Sequence, residues 1–493
     1  MRIGLTLLLL IAITTGCRLK SQEANKVPEK PNILFFFADD QRADALGYAG
    51  NPYIKTPHLD QLAKNGIYFP NTYVMGGHHG AICAPSRAML MSGKSLFHVY
   101  DELNGVLTMP AHFAKYGYTT FGTGKWHNEK ESFEASFQHR RNVFLGGMSD
   151  HFQVPSRDLK EDGKLSEPRI KSFSTDLFAG AAMEFLNEHV ASGTTDPFFC
   201  YVSFTAPHDP RSPQGDYIGM YEDEAMPLPG NFKPVHPFEF DFMSIRDETL
   251  APWPRTPEMI RKSIADYYGL ITHIDDKVGE VIDLLKEKNL YNNTIIIYTA
   301  DNGLAVGSHG LLGKQNMYEH STNVPLIVTW PGIPAKGTKK EALTYLFDIF
   351  PSLCEICNIP IPDGVDGKSF LPVINGEKNN IRSSLYTAYR NTVRAVRNDE
   401  WKLIAYPQRD HIQLFNLKED PLELKNLAGH PEYQPRVAEM MKLLQEWYIQ
   451  TDDTATMNPE KVLPLEYDYT KLKQTPDRHQ PQYVLDRYFP EVD

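Results

Sequence analysis

Cysteine is scarce in this chain, five in 493 residues, so no disulfide framework is expected to carry the fold and a packed apolar core must do so. Positive charge is in deficit. Fifty Lys and Arg stand against 62 Asp and Glu, for a formal net charge of −12, which argues against nucleic acid as a partner because phosphate backbones are held by basic excess. Any anionic substrate must then be met by a local cationic cluster. No internal period of repeat length is visible. The apolar fraction of 41% and aromatic fraction of 11% are those of a folded globular protein. The length exceeds one ordinary core, so a large domain with a smaller companion is expected.

The N-terminus reads Met1-Arg2, an apolar run from Gly4 to Ile13, then Thr14-Thr15-Gly16-Cys17. The run is too short to span a bilayer and has the form of an export signal. Its ending resembles a bacterial lipobox, which would make residues 1–17 a lipoprotein signal and Cys17 the lipidated first residue of an exported protein. An ordinary signal peptide with an incidental cysteine is the alternative. Residues 18–30 are polar and read as a tether, placing the mature protein in the periplasm or at the outer membrane and touching lipid only through the anchor. Of the other cysteines, Cys200 lies in a strand-like run. Cys354 and Cys357, a C-x-x-C inside the apolar stretch 345–359, read as packing residues of a helix after a strand.

Asn32 to Ala38 (NILFFFA) is a continuous apolar run of strand length that ends at Asp39-Asp40. Asn293 to Ala300 repeats the pattern before Asp301-Asn302-Gly303, and Pro197 to Ser203 and Val324 to Trp330 are similar. Unbroken rather than alternating hydrophobicity marks strands covered on both faces. The expected fold is α/β, a large mixed or mostly parallel sheet sandwiched by helices, with helices over 174–190 and 257–289. From about Arg382 short alternating strands (393–396, 401–406, 412–416) precede a helix over 435–448. A smaller antiparallel sheet with a packed helix therefore fills 379–493, and the larger α/β domain spans 31–378. In such open sheets ligands bind beyond the carboxyl ends of the strands, where Asp39, Asp40, Asp301 and Asn302 all fall. The stretch 207–257 reads as long irregular loops.

The decisive segment is Cys83-Ala84-Pro85-Ser86-Arg87, followed by Met91-Ser92-Gly93. A second, Gly117 to His127, ends in Gly124-Lys125-Trp126-His127, and Ala206-Pro207-His208 and Gly313-Lys314 follow in order. Together these resemble the signatures of the type I, formylglycine-dependent sulfatases of the alkaline phosphatase superfamily, and in particular bacterial glycan-foraging lipoprotein sulfatases. Ser92 stands where the family usually has Thr, and Thr123 replaces a smaller or apolar residue. The resemblance covers roughly Pro31 to Ala428. It implies calcium and a Cα-formylglycine made from Cys83 by a maturation enzyme, whose hydrated aldehyde supplies the nucleophilic oxygen. It also implies that Arg87 holds that aldehyde, that Lys125 and Lys314 clamp the sulfate, that His208 with Lys314 serves the leaving group, and that His127 and Asp301 serve the nucleophile.

The residue types suit this chemistry in their own right. Calcium is a hard cation that takes oxygen ligands, which Asp39, Asp40, Asp301 and Asn302 supply, residue 83 completing the set. A sulfuryl group in transfer bears negative charge that fixed cations stabilise, and imidazoles titrate near neutrality. Two rivals remain. One is a phosphomonoesterase or phosphodiesterase of the same superfamily, which would use Ser or Thr and zinc held by several His. The other is a non-catalytic glycan-binding lipoprotein, which should have lost part of the constellation. The expected substrate is a sulfated hexose or hexosamine of a glycan, attacked exo-wise, with His78, His79, Arg211 and Arg390 as candidate sugar contacts.

Overall fold

A computed structural model describes residues 30–472, 475–477 and 479–489. The expected export signal, with Cys17, and the expected tether through residue 29 lie outside the described residues. Among the described residues no helix is long and apolar enough to cross a membrane.

The unbroken apolar runs become the centre of an eight-stranded sheet. Asn32–Ala38 lies between Thr294–Ala300 and Phe198–Ser203, parallel to both, and Thr119–Lys125 and His139–Phe144 continue the parallel set. All seven residues of Asn32–Ala38 and of Thr294–Ala300 are buried, as a strand covered on both faces requires. Leu326–Thr329 instead runs antiparallel to Thr294–Ala300, which makes the sheet mixed. Helices Pro57–Asn65 and Ser174–Ala191 pack on the long helix Pro257–Glu287, and Met109–Ala114 and Ile349–Ile356 pack on Cys83–Ser92. The long helix starts where Thr256 Oγ1 accepts the Met259 N–H at 3.2 Å and Pro257 takes the first position, a favourable start for both reasons.

The C-terminal sheet consists of Leu385–Tyr389, Val393–Arg397, Trp401–Tyr406 and His411–Asn416 in antiparallel succession, with helix Gln434–Gln450 against it. It carries a fifth strand from far upstream: Gly76–Gly77 pairs in parallel with Ala388 and Tyr389. A side chain at Gly76 would stand 1.9 Å from the Ala388 carbonyl oxygen, so glycine is needed there. One apolar core runs beneath both sheets. Cys200, Cys354 and Cys357 are free and buried within it.

Candidate active site

Asp39 and Asp40 leave the central strand in a turn that puts Asp40 at φ +70°, a conformation that a non-glycine residue holds only when its surroundings fix it. Here they do. Tyr267 of the long helix donates to the Asp40 carbonyl at 2.6 Å and accepts the Arg42 N–H at 2.9 Å, and the Asp40 N–H donates to Asp301 Oδ1 at 3.0 Å. Asn302 Nδ2 donates to Asp40 Oδ1 at 2.7 Å. Both strand-end pairs therefore meet.

Arg87, fully buried, ties three strand ends together. Its Nε and Nη2 donate to Asp301 Oδ2 at 3.0 and 2.8 Å, and Nη1 donates to the Lys125 carbonyl at 2.8 Å and Ser203 Oγ at 2.6 Å. Both Asp301 oxygens are thus engaged. Burial pushes the Asp301 carboxyl up, but Arg87 together with Lys125 and Lys314 outweighs it and leaves the pKa below the usual range, so Asp301 is a carboxylate that anchors Arg87. Lys125 Nζ lies 2.5 Å from Asp39 Oδ2. Its strand approaches Phe198–Ser203 closely because Gly124, at φ +90°, has no side chain; a Cβ there would stand 1.7 Å from the Ser203 carbonyl oxygen. Lys314 Nζ donates to Asp40 Oδ1 and lies 3.4 Å from Cys83 Sγ.

Cys83 opens the buried helix Cys83–Ser92, at the end where the helix field favours an anion. Burial raises the thiol pKa, but Lys125, Lys314 and His127 outweigh burial and hold it well below the ordinary thiol range. His127 sits at φ +63°. Gly147 packs over its ring so closely that a Cβ would be 2.5 Å from His127 Nε2. His208 is buried with Nδ1 2.9 Å from the Asp209 carbonyl oxygen and Nε2 3.6 Å from Asp40 Oδ2. Burial opposes its charge, but Asp40 together with Asp209 and Asp39 outweighs burial, and the pKa is raised to about 9. The imidazolium therefore prevails at neutral pH.

The residues also suit a hard cation. Asp39 Oδ1 and Asn302 Oδ1 are buried acceptors with no hydrogen-bond donor; Arg87 Nη2, 3.7 Å from Asp39 Oδ1, is too far to serve. Buried acceptors of this kind call for a ligand. Asp39, Asp40, Cys83 and His208 offer ligand atoms that all lie within 4.8 Å of one another.

A cavity of about 470 Å³ opens over this cluster, lined by Cys83, His127, His208 and Lys314. Arg87 and Lys125 lie buried beneath. The remaining wall differs from the sequence expectation, for none of His78, His79, Arg211 and Arg390 lines it. His78 Nε2 is turned to the Leu96 carbonyl at 3.0 Å, and His79 pairs with Asp101. Arg211 is buried, its charge acting on Asp209. Arg390 stacks over Phe242 at 5.1 Å. The cavity's polar wall instead comes from Arg246, Asp247, Gln315 and His479. No local pattern in the sequence marks these four. A larger cleft of about 750 Å³, reaching from Arg42 to Glu423, contains none of the residues singled out for catalysis or metal binding.

A mostly parallel sheet between helices, with Asp39, Asp40, Lys125, Asp301 and Asn302 at its strand ends and Cys83 and Lys314 brought against them, defines an alkaline phosphatase-like fold. The sulfatase family profile matches residues 31–359, and that of the N-sulphoglucosamine sulphohydrolase C-terminal region matches 307–450. The chain belongs to the sulfatase family and is a sulfuric ester hydrolase. Among curated relatives it is 26% identical to an N-acetylglucosamine-6-O-sulfatase of Bacteroides thetaiotaomicron, over 93% of each chain. It is 30% identical to an ulvan-active sulfatase of Formosa agariphila, over 85% of this chain and 81% of that one. Among solved structures it resembles a protein in complex with its substrate D-glucosamine-2-N,6-O-disulfate, with a TM-score of 0.74 and 23% identity over 87% of this chain and all of that one.

Proposed function

We propose that this enzyme removes sulfate from a sulfated hexose or hexosamine at the end of a glycan, using calcium and a formylglycine made from Cys83. The observation that carries the reading is the convergence of Cys83, Lys314 and Asp40 under one cavity. A thiol in so cationic a pocket marks the nucleophile position. The zinc-phosphatase alternative would need several histidine ligands, whereas the buried cluster contains His208 alone. The complete constellation likewise disfavours a non-catalytic binder. Relatives that act on N-acetylglucosamine-6-O-sulfate and ulvan support a sugar sulfate. Export as a lipoprotein anchored at Cys17, periplasmic or outer-membrane associated, is part of the proposal, as are the domain boundary near 378 and a maturation enzyme that acts on Cys83.

Lys125 and Lys314 supply fixed positive charge for the sulfuryl oxygens, inside a protein whose overall field repels an anion. As formylglycine, residue 83 would carry two hydroxyls, one to attack sulfur and one to expel sulfate, where a plain alcohol would leave a stable ester. Asp39, Asp40, Asp301 and Asn302 would hold calcium, which serves as Lewis acid and template. His127, beside residue 83, handles the proton of the nucleophile side. His208, charged and facing the cavity, delivers a proton to the departing sugar oxygen.

Assay of the matured protein against defined sulfated mono- and oligosaccharides tests the substrate. Release of sulfate from terminal hexose or hexosamine sulfates is expected, and turnover of phosphate esters alone would refute it. Chelation should abolish turnover, and calcium, not zinc, should restore it. Calcium should also raise Tm in the wild type but not in Asn302→Ala. An unchanged Tm shift in that variant would remove Asn302 from the ligand set. Asp39→Asn would leave Lys125 buried without its partner, a cost of about 3–5 kcal/mol, so its loss of metal must be read on protein shown to be folded.

A further inference from the structure

The irregular stretch between Pro207 and Pro257 contains three consecutive residues that each hold a different part of the site. Arg246 Nη1 donates to Asp209 Oδ1 at 3.1 Å and Nη2 donates to Asp209 Oδ2. Asp247 Oδ2 accepts from Gln315 Nε2 at 2.7 Å. Glu248 accepts the Leu312 and Gly313 N–H groups, fixing the backbone that carries Lys314. The C-terminal segment joins this brace from the other side: Gln480 Nε2 donates to Asp209 Oδ2 at 2.9 Å, and Arg246 Nε donates to Asp477 Oδ2 at 3.1 Å. Asp209, buried, is where the two converge. Its carbonyl oxygen is 2.9 Å and its Oδ1 3.2 Å from His208 Nδ1.

We propose that Asp209 is the positioning residue of His208, held in place by Arg246 and by Gln480 of the C-terminal segment. An imidazole can turn over about its own axis and exchange its two nitrogens. Acceptors fixed on the Nδ1 side keep Nδ1–H bound and leave Nε2 to face the cavity. A carboxylate next in sequence to the histidine does this only if it is itself restrained. Arg246 is 37 residues away and Gln480 271 residues away, so the orientation of the leaving-group acid depends on the segment around Gln480 being docked. The inference rests on the reading of His208 as that acid.

The test compares kcat and KM of Asp209→Asn, Gln480→Ala and His208→Ala on a sugar sulfate and on nitrophenyl sulfate, whose leaving group departs without a proton. Asp209→Asn should lose about 10–100-fold in kcat on the sugar sulfate, as removal of an orienting partner does, with KM nearly unchanged and little loss on nitrophenyl sulfate. Gln480→Ala should show the same substrate dependence on a smaller scale, and decides the matter if Asp209→Asn does not fold. Equal losses on both substrates, or no loss in either variant, would overturn the proposal. Selective loss in His208→Ala alone would overturn only the positioning role. A His208→Ala that is indifferent to the leaving group would bring down the acid assignment, and this inference with it.

Discussion

Cys83→Ala should abolish sulfate ester hydrolysis, with kcat falling on the order of 10⁴-fold or more, as when a covalent nucleophile is removed. Residue 83 lies at the first position of a buried helix with Lys314 Nζ 3.4 Å from its sulfur, so in the proposed mechanism an oxygen built there would face a sulfuryl group held by the lysines. The loss should leave the fold intact, because alanine suits the helix and removes a single small atom from a site otherwise fixed by Arg87 and the strand ends. Intact-mass analysis of wild-type protein co-expressed with a maturation enzyme should show Cys83 lighter than an unmodified cysteine, reflecting exchange of CH₂SH for an aldehyde. The Cys83→Ala protein should keep its own calculated mass and its Tm. Full activity in that variant would refute the nucleophile assignment, whatever the metal.

His208→Ala should cost about 10²–10⁴-fold in kcat/KM on sugar sulfates, the usual range for a general acid, and far less on nitrophenyl sulfate. The alkoxide of a sugar is a poor leaving group that needs the proton, whereas nitrophenolate does not. With its pKa raised to about 9, chiefly by Asp40 against the effect of burial, the histidine is supplied with that proton at neutral pH. His127→Ala should instead slow both substrates alike, because in the proposed mechanism clearing sulfate from residue 83 would be common to every turnover, and a sulfated enzyme should accumulate in rapid-quench mass spectra. Equal losses on the two substrates for His208→Ala would reduce its role to holding sulfate.

The strands that place the metal-ligand candidates were legible because a parallel sheet buried on both faces demands unbroken apolar runs such as NILFFFA, and the acidic residues follow them directly. Thr119–Lys125 was not legible as a strand: it reads TTFGTGK, and its two glycines mark close packing against Phe137 and Ser203, which no periodicity announces. The extra strand Gly76–Gly77 was hidden for the same reason, since its partner Leu385–Tyr389 lies some three hundred residues on and two glycines carry no pattern. The helices expected over 174–190 and 257–289 form as Ser174–Ala191 and Pro257–Glu287, the second legible from its apolar residues at helical spacing with charges on the other face.

By itself the sequence determined the fold class, the family signatures, and the candidate nucleophile, cations and metal ligands, because these reside in short segments where local chemistry and strand ends coincide. Tertiary structure alone decided which groups face the substrate cavity. It turned His78 and His79 to other partners, buried Arg211, and brought Arg246, Asp247, Gln315 and His479 to the wall. It also tied Asp301 to Arg87 and brought Gln480 to Asp209. The reason is physical: a buried carboxylate or guanidinium takes its function from the partners that compensate its desolvation, and those partners here lie tens to hundreds of residues away.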